Sequence, residues 1–174
     1  MTSYVALLRA VNVGGTGKLP MSELKAMCEA AGFIEVRTYI ASGNVVFSSK
    51  LAASAVKKKL EQQLHDHAGK PVSVIVRTGA EMVQVLACNP FSNEPDNRVV
   101  AIFLDSAPPA DALDAVTHQK EERLACGARE IYVHYGNGMA DSRLAIPAAK
   151  TGTARNMNTI ARLAGMAAEL QGTP

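Results

Sequence analysis

The chain has 174 residues, 48% hydrophobic and 20% charged, so a compact fold is expected and disordered or collagen-like chains are excluded. Its formal charge of +2 and isoelectric point near 8.5 fall short of a dedicated nucleic-acid domain, so charge alone selects no partner. Three widely spaced cysteines, Cys28, Cys88 and Cys126, form no CxxC pair, and no apolar run reaches the ~18 residues of a membrane span. No disulfide framework, metal site, membrane segment or cofactor is expected, and reduced thiols with no leader-like start point to the cytoplasm.

Tyr4 to Arg9 reads as a strand apolar on both faces, followed by a turn rich in glycine at Gly14, Gly15 and Gly17. Pro20 opens a helix whose Leu24, Met27, Cys28 and Ala31 recur at i, i+3, i+4, i+7, with Gly32 as its stop and Phe33 as the accompanying apolar contact. Strands at 36–40 and 45–47 flank Ala41-Ser42-Gly43-Asn44, a hairpin signature. A second helix over 51–67 aligns Val56, Leu60 and Leu64 and ends at Gly69-Lys70-Pro71. A strand over 72–77 closes a βαββαβ unit, and Thr78 with Glu81 forms a capping box for the next helix.

The second half starts with a strand over 98–104. A helix with Leu113 and Val116 should follow Pro108-Pro109, then a strand over 130–135, a turn at Gly136-Asn137-Gly138, and a short last strand. A closing helix from about Arg155 to Leu170 buries Ile160, Leu163, Ala164 and Ala167. The expected fold class is α+β: two ferredoxin-like (βαββαβ-type) subdomains, 1–78 and 79–174, packed as one body, with a C-terminal helix ending the second.

Several segments taken together resemble one bacterial family. They are Leu7-Leu8-Arg9-Ala10-Val11-Asn12-Val13-Gly14-Gly15, Met21-Ser22-Glu23-Leu24, Thr38 to Phe47, Asn89-Pro90-Phe91, Ile131-Tyr132 and Thr153 to Thr159. The family is the one catalogued as domain of unknown function 1697, and the resemblance runs from Ser3 to Leu170. It implies two ferredoxin-like subdomains and no settled activity. The last segment departs from the family pattern, with Ala154 where a threonine is usual and Met157 where a tryptophan is usual.

Gly14 to Lys18 is no P-loop, because no glycine in register precedes Gly17 and Leu19 stands where a hydroxyl is required. It is either a plain turn or a loop whose backbone N–H groups contact an anion. Arg9, at the end of an apolar strand, serves an ion pair or a ligand. Ser42 and Asn44 suit the hairpin's own geometry or polar ligand contacts. Arg155, Asn156, Asn158 and Thr159, at the start of the closing helix, either cap it, which needs only one of the four, or form with its free N–H groups a site for an anion.

His65 and His67, two apart on a helix, cannot share a metal, and His134 is a structural histidine rather than a base. Lys57-Lys58-Lys59 reads as a solvated helix face. The motif-bearing loops contain no carboxylate pair, His-Cys cluster or GxSxG elbow. Their cations, amides and hydroxyls suit binding more than proton transfer.

The expected function is therefore binding of a phosphorylated or otherwise anionic small molecule near Arg9, Asn12, Gly14, Gly15, Ser42, Asn44, Arg155, Asn156 and Asn158. The alternatives are single-stranded nucleic-acid binding and a protein-interaction module or homodimer.

Overall fold

The structure, a computed structural model, describes residues 1–11 and 18–171. The expected contributions of Asn12, Gly14 and Gly15 lie outside the described residues. The chain divides into two compact units, Met1–Val83 with Arg162–Pro174, and Gln84–Ala161. The described residues form an α+β fold with four α-helices and two four-stranded antiparallel sheets.

In the first unit β1 (Thr2–Leu8), α1 (Met21–Ala30), β2 (Ile34–Thr38), β3 (Asn44–Ser49), α2 (Ala53–Ala68) and β4 (Val74–Thr78) follow in order. The sheet is ordered β2-β3-β1-β4. One face carries Tyr4, Ala6, Leu8, Val45, Phe47, Val74 and Val76 against Leu24, Met27 and Cys28 of α1 and Val56, Leu60 and Leu64 of α2. These are the apolar stripes of the sequence. Burying each leucine contributes about 1.5–3 kcal/mol, so removing one undermines a helix whose other faces carry the exposed Lys58 and Lys59. Phe33 stacks on Phe47 with centroids 4.3 Å apart. On the opposite face Ser3, Val5 and Leu7 are buried as well.

α1 stops as its sequence dictates. Ala31 caps it, Gly32 stands at φ +91°, and two bonds close the end, Gly32 N to Glu29 O (3.0 Å) and Phe33 N to Cys28 O (3.1 Å). This is the Schellman pattern. α3 (Gly79–Ala87) starts from the predicted capping box: Thr78 N donates to Glu81 Oε2 at 2.9 Å, and Glu81 N donates to Thr78 Oγ1 at 3.1 Å.

The second unit contains β5 (Val99–Phe103), β6 (Arg123–Cys126), β7 (Glu130–His134) and β8 (Thr153–Asn156), in the order β6-β7-β5-β8. α4 (Met157–Gln171) follows β8 directly. The strand order repeats that of the first sheet, but what lies between the strands differs from expectation in three places.

No helix follows Pro108-Pro109. Residues 109–116 make successive turns, Ala112 N to Pro109 O and Asp114 N to Asp111 O, both 3.0 Å, and Leu113 is exposed. Leu113 and Val116 alone are too thin an apolar stripe to hold a helix on the sheet. Leu144, Ile146, Ala148 and Ala149 pack instead on the core of Val100, Ile102, Leu104, Ile131 and Val133. The hairpin partner of β7 precedes it, with Gly127 N bonded to Glu130 O at 2.7 Å, whereas Gly136-Asn137-Gly138 leads into a 3-10 turn at Met139–Asp141. The closing helix begins at Met157, because residues 153–156 pair with 100–103 as an edge strand. Ladder bonds and burial override the local pattern there.

β1 and β5 are flanked by strands on both sides, and their amides should be among the slowest to exchange; fast exchange at Val5 or Val100 in native protein counts against this arrangement. Gly32 has open space around its missing Cβ, so Gly32→Ala should cost only the left-handed backbone strain, about 1–2 kcal/mol. The urea midpoint, at unchanged slope, measures it.

Candidate functional site

The end of β1 is gripped from both sides: Leu8 N donates to Gly43 O (2.8 Å) and Arg9 N to Ser73 O (3.0 Å). The chain then turns at Ala10, at φ +55°, and returns to the core with Val11. Across the ladder, Gly43 stands at φ +89°, and a Cβ there would lie 2.5 Å from Val11 Cγ2 and 2.8 Å from Leu8 Cβ. Only glycine fits. Asn44 has no exposed surface; its Nδ2 donates to Tyr39 O (2.9 Å) and Ser42 Oγ (2.8 Å), while Tyr39 N donates to Asn44 O (3.0 Å). Ser42 and Asn44 thus tie the neck of the 39–44 loop and lie beside Arg9 at one end of the sheet. Ile40, in the same loop, is half exposed at φ +48°, a conformation unusual for a β-branched residue.

A cavity of about 300 Å³ opens beside this end of β1. Its floor is Val11, Leu19, Leu64 and Val72, and its rim carries Lys18, His67 and Lys70. Val11 and Lys18, which both line it, bound the Asn12 to Gly17 segment in the sequence. His67 Nε2 lies 3.0 Å from a Glu23 carboxylate oxygen. Lys18 is exposed and makes no hydrogen bond or ion pair among the described residues. The first unit holds eleven Lys and Arg against seven Asp and Glu, the second seven against nine, so the modest overall charge hides a basic first unit.

A second concavity, of about 430 Å³, lies between α2 and residues 71–73. Its floor is already engaged: Lys57 Nζ meets Glu61 Oε1 at 2.7 Å and also bonds Val74 O, and Val74 N donates to the same carboxylate oxygen at 3.1 Å. Glu61 brings negative charge there, which disfavours an anion.

Arg155, Asn156 and Asn158 belong to the second unit. Arg155 and Asn156 are strand residues rather than part of the helix. The Arg155 side chain is buried and donates from Nη1 to Thr153 Oγ1 (2.7 Å) and Ala154 O (2.9 Å); burial lowers its pKa to about 10. Asn156 is the N-cap of α4, its Oδ1 accepting from Thr159 N at 2.9 Å, and Asn158 is exposed in the first turn.

One cluster in this unit escaped sequence reading. Arg123 Nη2 meets Glu94 Oε1 at 2.7 Å and His134 Nδ1 at 3.3 Å, and the guanidinium lies 5.3 Å from the Phe91 ring centroid. The other imidazole nitrogen, Nε2, lies 3.4 Å from Glu94 Oε2. His134 is therefore engaged at both nitrogens, and Phe91 of the Asn89-Pro90-Phe91 segment packs over it. No spacing in the sequence joins positions 91, 94, 123 and 134. Among the described residues no group of three or more His, Cys, Asp and Glu is placed to hold a metal, and no helix is long and apolar enough to cross a membrane.

Gly43→Ala should combine backbone strain with overpacking and cost about 2–4 kcal/mol, more than Gly32→Ala. Asn156→Ala should cost about 1 kcal/mol through loss of the cap. Denaturant midpoints of the three variants, ranked Gly43 above the other two, provide the check.

Comparison with solved structures finds the same fold in a conserved bacterial protein from Streptococcus pneumoniae. It is 22% identical, with a TM-score of 0.77 over 95% of this chain and 98% of that one. No curated protein matches the chain. The family model described as "Protein of unknown function (DUF1697)" matches residues 1–132, which takes in the β1 end, the Ser42 turn, the cavity and the Phe91 segment, while residues 153–159 lie beyond it. The chain belongs to the DUF1697 family.

Proposed function

We propose that the first unit binds an anionic small molecule in the cavity at the end of β1. One observation carries this reading: ammonium groups of Lys18 and Lys70 rim a concavity with an apolar floor, on a unit with a surplus of cations. A low-dielectric floor strengthens the attraction between those groups and an anion relative to open water. Arg9 and the Ser42 and Asn44 turn stand at the same end of β1. Arg155, Asn156 and Asn158 belong to the second unit and are not among the described residues that line this cavity. Burial of β1, β3, β5 and β7 along nearly all their lengths supports a small ligand over single-stranded nucleic acid, since these strands offer no open face for stacking bases.

We also read the shared strand order of the two sheets as a duplicated ferredoxin-like unit in which turns replace the helices of the second copy. The cysteines, which form no disulfide, support a cytoplasmic setting.

Phosphate monoesters and carboxylates, screened by thermal unfolding at fixed ionic strength, should include at least one that stabilises the protein saturably. Lys18→Ala and Lys70→Ala should each weaken that ligand about tenfold or more, the scale of a charged hydrogen bond, and Lys18→Ala should leave the unliganded midpoint nearly unchanged. An unshifted midpoint with every anion, or an equal response in the double variant, counts against the proposal.

A further inference from the structure

We propose that two copies of the chain join through the outer edge of the second sheet, β6 against β6, in antiparallel register about Ala125. The bonds of the neighbouring strand determine which backbone groups that edge presents. Gly127 N donates to Glu130 O at 2.7 Å, and the ladder continues as Cys126 with Ile131, Ala125 with Tyr132, Leu124 with Val133 and Arg123 with His134, without a register shift. Antiparallel bonding alternates, so Arg123 and Ala125 turn their N–H and C=O groups to β7, and Leu124 and Cys126 turn theirs outward. Among the described residues nothing else bonds to those outward groups.

The outermost strands β4, β2 and β8 are each guarded. Lys57 and Glu61 take the carbonyl and N–H of Val74 on β4, a register shift interrupts β2, and on β8 the carbonyl of Ala154 accepts from Arg155 Nη1 at 2.9 Å. β6 runs as an unbroken ladder instead. Arg123, the charge that could shield it, is drawn aside onto Glu94 at 2.7 Å and over the Phe91 ring, and Cys126 is exposed.

Two observations select a second copy as the occupant. At the next position along the edge, Glu122 O already accepts from Gln119 Nε2 at 2.6 Å, and past Cys126 the chain bends back at Ala128-Arg129, so the usable stretch is Leu124 to Cys126. That stretch is its own complement. With Ala125 facing Ala125 of the second copy, Leu124 of each chain exchanges both bonds with Cys126 of the other, and every outward group is satisfied about one twofold axis. The same axis brings the exposed Glu121 toward the bend that carries Arg129 of the second copy, so opposite charges meet at both ends.

Sedimentation velocity on the full chain, from about 10 µM to about 1 mM, should show a reversible monomer–dimer equilibrium, weak because so short a strand makes a small interface. Cys126→Pro removes an N–H that β7 does not use, so circular dichroism should stay native while the dimer is lost. Glu121→Arg should raise the dissociation constant about threefold or more, and Arg129→Glu in the same chain should restore it. Cross-linking tests the register. Facing Ala125 residues form a pair without hydrogen bonds, about 4.5 Å apart at Cα and within disulfide range, whereas each Cys126 opposes Leu124 and the two Cys126 stand beyond that range. With Cys88 and Cys126 replaced by serine, Ala125→Cys should oxidise to a covalent dimer about tenfold faster than a Cys88→Ser chain that keeps Cys126. A monomer at every concentration overturns the proposal and leaves this edge to an extended segment of another protein. A dimer that survives Cys126→Pro, or that cross-links through Cys126 in preference to Ala125→Cys, overturns it as well, because the copies then meet elsewhere or in another register.

Discussion

Position 43 has room for a hydrogen and nothing larger, and the end of β1 is built around that limit. With no Cβ, the loop between β2 and β3 closes onto Leu8 and Val11 and its carbonyl reaches Leu8 N. The buried Asn44 amide then ties the loop's neck through Tyr39 O and Ser42 Oγ. A buried amide left without these partners would cost about 1–3 kcal/mol, so the loop has one closed arrangement. That arrangement holds Val11 where it forms part of the cavity floor. Ser42 and Asn44 therefore act on the cavity through the wall they brace, and the polar side chains that look most ligand-like in the sequence are occupied in holding backbone.

What the sequence revealed about the fold was local. Gly32 after an apolar run that ends at Ala31, and Thr78 three residues before Glu81, each determine a helix end from residues within a single turn, and both ends are formed as read. What it concealed depends on partners far along the chain. Arg-Leu-Ala-Cys at 123–126 is a half-exposed edge strand with no distinctive alternation, visible only through its pairing with β7. Arg155 and Asn156 carry helix-start chemistry, yet β5 draws Arg155 into a ladder and leaves Asn156 to make the cap. The cavity was hidden for the same reason: Lys18 and Lys70 share no motif, and only the packing of α2 against the sheet brings them to one rim.

The edges of the first sheet narrow its possible roles. On β4, Lys57 and Glu61 occupy the carbonyl and the N–H of Val74, so the backbone groups an incoming strand would use at that residue are taken. On β2, the register shifts between Ile34 and Arg37, with Glu35 at φ +53°. Arg37 there is joined to Glu169 of α4 at 2.7 Å. A bulge and a bound charge are common ways of keeping an edge from recruiting another strand. Strand addition, a frequent basis for protein-interaction modules, is disfavoured at both edges.

These edge devices also decide how the basic charge of the unit is used. Lys57 is committed to Glu61 and Val74, and Lys25 lies 3.8 Å from Glu29, so part of the lysine surplus is already matched to acid. Lys18 is not matched among the described residues, and it stands where the floor beneath it is apolar. An exposed lysine on an ordinary surface is screened by water and salt and says little about function. Beside apolar side chains its field is screened less than in open water.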